Sequence, residues 1–519
     1  MSSSCLIFNL SNLWTTNNLS LGLQSAPFVD LSLGLPAPST MPIAGSNLPP
    51  EVWARVLDEV PQPHLLPLLS VCSQFHDIAI RRLFASIKIY FMGGKRAQEM
   101  LNTNDAYWVD LLAIDFMRKS WEILNHIRQD RRFARAVKSV TVIAFADGLS
   151  IFERMTLTNT IPFIPNLHTF RWIGNGPEFD KSVAECLPWT LQKLCIQSSL
   201  PAEPFHHLTK LQHLELPTPF FFPDDEEAHD RLVIDDELAE ITTSLPIGDL
   251  LYDFPSELRS LRLCASYIMH IPVRICNTLT ELDLLMTIGD EDELVGLDAI
   301  FRHATVLESL SFVGFISPLV FSFLENAADT MPLLTSFRFC DDMTDYSPQD
   351  MVALSTFLAN RPLRRLFLRV PAVRNHHSFL VSLVSTNQQL EVLGLHTGMY
   401  ILDPTIMMIV HQLPRTLKAL HLAMNWRGSN MLNLVDRIGQ LPNLTFLHLY
   451  GAVTRLPVLL DDLADEAKGL QMVGLNRALW NINRVGDELF FAKLPRWRIK
   501  FAVDEDFLCD DDAWLFKYN

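Results

Sequence analysis

The side chains best equipped for chemistry in this sequence are cations and aromatics that recur between positions 338 and 450. Arg338, Arg365, Arg369, His396, His421 and His448 are joined by Phe367, Phe446 and Tyr450. Each holds the third, fifth or seventh place of a short, mostly apolar segment, so all project to one side of an extended chain. Glu281, Asp283, Ser309 and Ser311 hold the same places further upstream. Guanidinium groups grip a carboxylate or phosphate in two-pronged fashion, and Arg and aromatic residues are the types enriched at binding hot spots. The chemistry is therefore recognition, and the expected ligand is an acidic or phosphorylated segment of a protein substrate. The alternative is that these arginines only pair with nearby Asp and Glu.

Bond-making chemistry finds no residues to rest on. GNGPEF at 174–179 has two glycines but no continuation into a phosphate-cradling helix. HExxH, GxSxG and kinase signatures are absent from the sequence. His206-His207 and His376-His377 lack a third ligand at metal spacing, and the eight cysteines form no CxxC pair. Cys195 stands in a strand-like segment without an identifiable base, the usual situation of a packing residue. No catalytic residue, metal or cofactor is expected. A net charge of −17 and a pI of about 5.4 argue against a non-specific nucleic-acid binder. The sequence has no membrane-length apolar run. Its N-terminus, MSSSCLIFNLSNLW, lacks the basic residues of a secretory signal. With scattered, reduced cysteines, the expected location is intracellular, in the cytoplasm, the nucleus or both.

The elements that would position these side chains follow one template, apolar-x-x-apolar-x-apolar. It begins at residues 137, 167, 191, 211 and 258, and again at 279, 307, 334, 363, 390, 417, 444 and 470. From 279 onward the starts lie 26 to 29 residues apart. A fixed period in the twenties signifies a stacked array. Within each unit a short strand is followed by a helical segment such as 318–330, 348–360 or 429–441, and the two bury their apolar faces against each other and the next unit. The pattern resembles a leucine-rich-repeat horseshoe: an α/β solenoid with a concave parallel sheet and convex helices. The family's turn Asn or Cys is matched cleanly only by Asn425, with Pro371 and Gly398 at two equivalent places. An irregular solenoid of the divergent fungal type is implied, spanning 136–519. An acidic insertion falls near 222–250, WRIKF at 497–501 reads as a last strand, and the acidic tail at Asp510–Asp512 reads as an end cap.

Upstream lies a different pattern. In LPPEVWARVLDEVPQPHLLPLLSVCSQFHDIAIRRLF (48–84), Val52, Val56, Leu57 and Val60 share one helical face, and Pro61 stops that helix. Leu65, Leu68, Leu69, Cys72 and Phe75 keep three-and-four spacing, and Ile78, Ala79, Leu83 and Phe84 extend it. Three helices in so few residues cannot enclose a full core, so part of their apolar surface must be covered by something else. Leu48-Pro49, Glu51-Val52-Trp53, Val71-Cys72 with Phe75, and Leu83-Phe84 closely resemble the F-box. The resemblance implies an F-box at 47–87 that docks to a Skp-family adaptor, and through it to a cullin-RING (SCF) ubiquitin ligase. Leu48, Pro49, Val52, Val56, Leu57, Leu65, Leu68, Val71 and Phe75 would make the contact. The chain would then be a non-catalytic substrate receptor whose solenoid binds an unidentified protein target. The alternative is a non-ligase interaction scaffold, and it requires the face of Leu48, Val52, Val56 and Leu68 to be buried within the chain.

Between the two patterns, SIKIYF at 86–91 alternates like a strand, and residues 88–135 read as a helical linker. The linker ends in the basic cluster Arg128, Arg131, Arg132 and Arg135, a solvated helix end. Residues 1–46, rich in Ser, Asn, Pro and Leu and carrying LSLGL twice, read as a poorly ordered extension.

Overall fold

The computed structural model describes residues 49–517, apart from 59, 61–64, 102–104, 149, 199–205, 217–250, 252–256, 287–293, 295, 328, 342–345, 360, 372–376, 399–400, 452–455, 487, 495–506 and 508. The expected extension at 1–46, the acidic insertion near 222–250, the WRIKF strand and the residue Leu48 lie outside the described residues.

Among the described residues, sixteen strands form one sheet in strict chain order. They are β1 (Ser86–Gly93), β2 (Ser139–Ala146), β3 (Thr169–Gly176), β4 (Lys193–Gln197), β5 (His213–Glu215), β6 (Ser260–Cys264), β7 (Glu281–Met286) and β8 (Ser309–Gly314). There follow β9 (Ser336–Asp341), β10 (Arg365–Arg369), β11 (Val392–His396), β12 (Ala419–Ala423), β13 (Phe446–Tyr450), β14 (Met472–Leu475), β15 (Ala478–Val485) and β16 (Glu488–Lys493). Pairing is parallel from β1 to β14, and an antiparallel hairpin of β15 and β16 closes the sheet. Every template start in the sequence leads into one rung, β2 through β14. The molecule is an irregular leucine-rich-repeat solenoid.

The template explains the stacking. In β10, Leu366 and Leu368 point toward the helical layer and are fully buried. The in-register neighbours of Leu366 are Phe337, Leu310, Leu282 and Leu261 on successive rungs. Burial of each such side chain is worth about 1.5–3 kcal/mol, and one continuous core runs from the N-terminal helices to β15. Helices such as Pro348–Leu358, opened by a Ser347/Asp350 capping box, cover the convex side. Arginines tie several of their ends. Arg361 is buried and donates to the carbonyls of Ala327, Thr330, Met331 and Phe357. Arg484 does the same for Ala464, Ala467 and Leu470. Carbonyls at a helix end have no partner within the helix, and a multidentate guanidinium supplies several donors at once.

Two boundaries differ from the sequence reading. Residues 88–135 are not a linker. β1 pairs with β2 over eight residues, and the helix Ala106–Gln129 packs on it through Ser120, whose hydroxyl accepts from Tyr90 N at 2.8 Å. The array therefore begins at residue 86. The acidic residues Asp510–Asp512 do not cap the end of the solenoid. They open a helix, Asp510–Phe516, that lies on the concave face against β11 and β12.

Candidate functional site

Strand register brings the predicted side chains together in a central concave row: Arg262, Asp283, Ser311, Arg338, Phe367, Gly394, His421 and His448, on β6 through β13. A second row carries Arg365, with Ser309 and Glu281 in line. Arg369, His396 and Tyr450 lie toward the strand ends and are partly buried. The expected juxtaposition is present, but the expected openness to solvent is not. Arg338 is 0% exposed, and Phe367, Phe446, His421 and His448 are buried. The helix Asp510–Phe516 covers them.

The cover is matched to the floor group by group. The Arg338 guanidinium lies between two rings, 4.6 Å from the Phe367 centroid and 4.4 Å from the Trp514 centroid, and donates to the Trp514 carbonyl. Guanidinium groups favour the negative faces of aromatic rings, more so when desolvated. Asp511 accepts from Arg365 Nε at 2.8 Å and from Arg364 at 2.7 and 2.8 Å. Arg364 also holds Glu391 at 2.5 Å. Lys517 donates to Asp283 at 2.6 Å and lies 3.5 Å from Glu281. Burial disfavours ionisation of Asp283, and the Lys517 ammonium beside it outweighs that, holding its carboxyl well below the ordinary range. Glu215, paired with Arg262, is likewise held down to about 2 against its burial.

Glycine shapes the apolar end. A Cβ on Gly394 would sit 2.1 Å from the Phe367 ring, so only glycine leaves room for that ring across the rung. Phe367 thereby stacks on His421, two strands away, at 5.6 Å. His421 and His448 share a hydrogen bond between their Nδ1 atoms at 2.9 Å, and His448 Nε2 meets the Asn476 carbonyl at 2.7 Å. A carbonyl only accepts, so Nε2 of His448 carries a proton. Neutral His448 then accepts at Nδ1 from His421. Burial pushes His448 down to about 4 and His421 well below its ordinary value, so both rings are neutral at pH 7. Phe516 closes over His448 at 5.5 Å.

The N-terminal contact residues divide into two sets. Leu57 and Leu65 are buried in the continuous core and are not available at the surface, which corrects their expected place in an adaptor contact. Arg82 anchors that inner side by donating to the carbonyls of Leu57 and Val60. Trp53 packs edge-on to Phe75 at 4.9 Å, and Phe84 meets Phe133 of the solenoid at 4.9 Å. Pro49, Val52, Val56 and Val71 face outward, the three valines 38%, 45% and 52% exposed, with Leu68 and Phe75 half-buried beside them.

Arg364, Asp511, Trp514, Phe516 and Lys517 complete the concave site, and sequence reasoning passed over them. Their only signal was the Asp510–Asp512 run. Cys195 is buried on the central row beside Glu215, and burial pushes its thiol up, the state of an inert packing residue. Among the described residues, no cluster of His, Cys, Asp and Glu could hold a metal ion, and no helix is long and apolar enough to cross a membrane.

Fold and site together define an α/β solenoid whose concave groove is filled by the helix Asp510–Phe516. No protein-family profile matches the chain, and no curated protein matches it. Among solved structures it is similar to the yeast Rad7–Elc1 complex, at 13% identity and a TM-score of 0.38 over 78% of this chain and 87% of that one. It is also similar to the TLR13–ssRNA13 complex, at 15% identity and a TM-score of 0.35 over 66% of this chain and 53% of that one.

Proposed function

We propose that this chain is the substrate-recognition subunit of an SCF-type cullin-RING ubiquitin ligase, in which residues 47–87 dock a Skp-family adaptor and the solenoid holds the target. On this reading it is a non-catalytic receptor of the cytoplasm or nucleus. The observation that carries the proposal is the outer face of the N-terminal helices, where Val52, Val56 and Val71 are exposed around half-buried Leu68 and Phe75. A helical unit that buries one face in its own chain and leaves several apolar side chains of the other in water has the form of a docking module. The scaffold alternative needs that face covered from within.

The test is Val52→Glu with Val56→Glu, assayed by co-purification of a Skp-family protein. Central hot-spot residues are worth ~2 kcal/mol or more each, so recovery of the adaptor should fall at least tenfold. Both positions are exposed, so the melting temperature should hold. Undiminished recovery by the folded double variant would leave the scaffold reading in place.

A further inference from the structure

The helix Asp510–Phe516 contributes no residue to the main core. Trp514 and Leu515 belong to a second, separate apolar cluster on the concave face, with Phe367, Phe446 and Met472. The main core on the convex side is thus built without the helix. What the helix covers has the composition of a ligand site: Arg364 and Arg365 for a carboxylate, the Arg338–Phe367 platform for an indole, an aromatic seat at His448, and Asp283 for a cation. A surface evolved only to pack a helix would be expected to be apolar, because burying fixed charges gains little over well-packed hydrophobic groups. The match is also imperfect at Asp512. Asp512 is 1% exposed, its Oδ1 has no hydrogen-bond partner among the described residues, and burial pushes its carboxyl up to about 6. The covering segment therefore carries a penalty that a different segment with a neutral residue there would not.

We propose that the groove over β7–β13 is a receptor site for a short acidic–aromatic segment of a partner protein, and that residues 509–517 are its built-in competing occupant. The segment's chemistry follows from the contacts: a carboxylate, an indole three residues on, a second aromatic two further, then a cation. The inference deepens the receptor reading by naming the class of target, but it does not depend on adaptor docking. Residues 509–517 would keep the receptor closed until such a target displaces them.

The probe is a fluorescent synthetic peptide, FLCDDDAWLFKYN, which reproduces residues 507–519, titrated by anisotropy against the full-length chain. Wild type should bind it at least tenfold more weakly than the full-length Trp514→Ala/Phe516→Ala variant, whose own helix is loosened. Adding Arg364→Glu and Arg365→Glu to that variant should abolish binding. A peptide with Lys at the position of Asp511 should restore it. A peptide with Asn at the position of Asp512 should bind more tightly than the native one. Asp511→Lys in the full-length chain is the second way to loosen the helix. The proposal is overturned if a folded loosened variant fails to bind the peptide, or binds it regardless of Arg364 and Arg365. It is equally overturned if both loosened variants unfold, which makes the helix part of the core, or if they exchange helices as dimers. Adaptor recovery, measured in parallel, should be unchanged by the peptide, so failure here and failure of the ligase reading are separate results.

Discussion

The two ends of this molecule invert the usual partition of side chains in opposite ways. At the N-terminal helices, valines stand in water. On the concave face, Arg338, Asp283, His421 and His448 are buried. Exposed apolar side chains are common singly, but a cluster beside a three-helix unit is surface without a cover. Buried charge is costly unless paired, and here every charge just named has a partner or is a neutral imidazole. One region lacks a cover, and the other is largely answered from within. The difference shows that exposure alone is a poor guide to a binding surface. The better guide is whether the chemistry of a surface is already answered by the same chain.

The contrast can be tested by deleting similar side chains in the two regions. Phe446→Ala removes a fully buried ring from the concave cluster and should cost about 3–5 kcal/mol, as large-to-small core substitutions do. Denaturant unfolding would show it. A loss under 1 kcal/mol would mean that the concave cluster is not a core.

Acid should act on the concave side next. His448, held at about 4 by burial, and His421, held well below its ordinary value by burial, bind fewer protons folded than unfolded as pH falls through the ordinary histidine range. Stability therefore falls as pH drops through that window. His396, also at about 4 because of burial and Arg369, adds to the same slope. Asp512 acts against it, since its raised pKa favours the folded state as pH falls from about 6. Three imidazoles outweigh one carboxyl, so the net effect of acid is a loss of stability. His421→Asn with His448→Asn should flatten the denaturation midpoint across this range. An unchanged slope in that variant would place the titrating groups elsewhere. Smallest of all, Val56→Ala should shift stability by no more than about 0.5 kcal/mol. A larger loss would show that this valine is covered, erasing the contrast.

The rungs were legible because their pattern is local. Each apolar-x-x-apolar-x-apolar segment specifies its own strand, and its period specifies the stacking, so β2 through β14 follow from the sequence. The concave row was legible for the same reason, since alternation along a strand places Arg338, Phe367, His421 and His448 on one side. What covers them was not. Arg365 and Asp511 lie 146 residues apart, and no local pattern couples them. The alternative that the arginines pair with nearby acids named the right chemistry, but the partner Asp511 is remote in sequence. At the N-terminus, periodicity placed Val52, Val56 and Leu57 on one face. It could not separate the valines that face water from the leucine that faces the solenoid, because that depends on where residues 73–84 dock. Residues 88–135 were misread because, although 86–91 alternates like a strand, no local pattern shows that it pairs with β2 or that the helix Ala106–Gln129 packs on it.

The contact between Lys517 and Asp283 joins positions 234 residues apart. A repeat array with only nearest-neighbour contacts melts piecemeal, fraying from its ends as each unit loses one neighbour. A brace from the last turn of the chain back to the seventh strand converts that zipper into a closed ring. Rungs β7 to β14 can then open only together, so hydrogen exchange across them should report one shared opening energy. The same closure slows folding, because the ends of so long a loop must meet before the contact returns any energy.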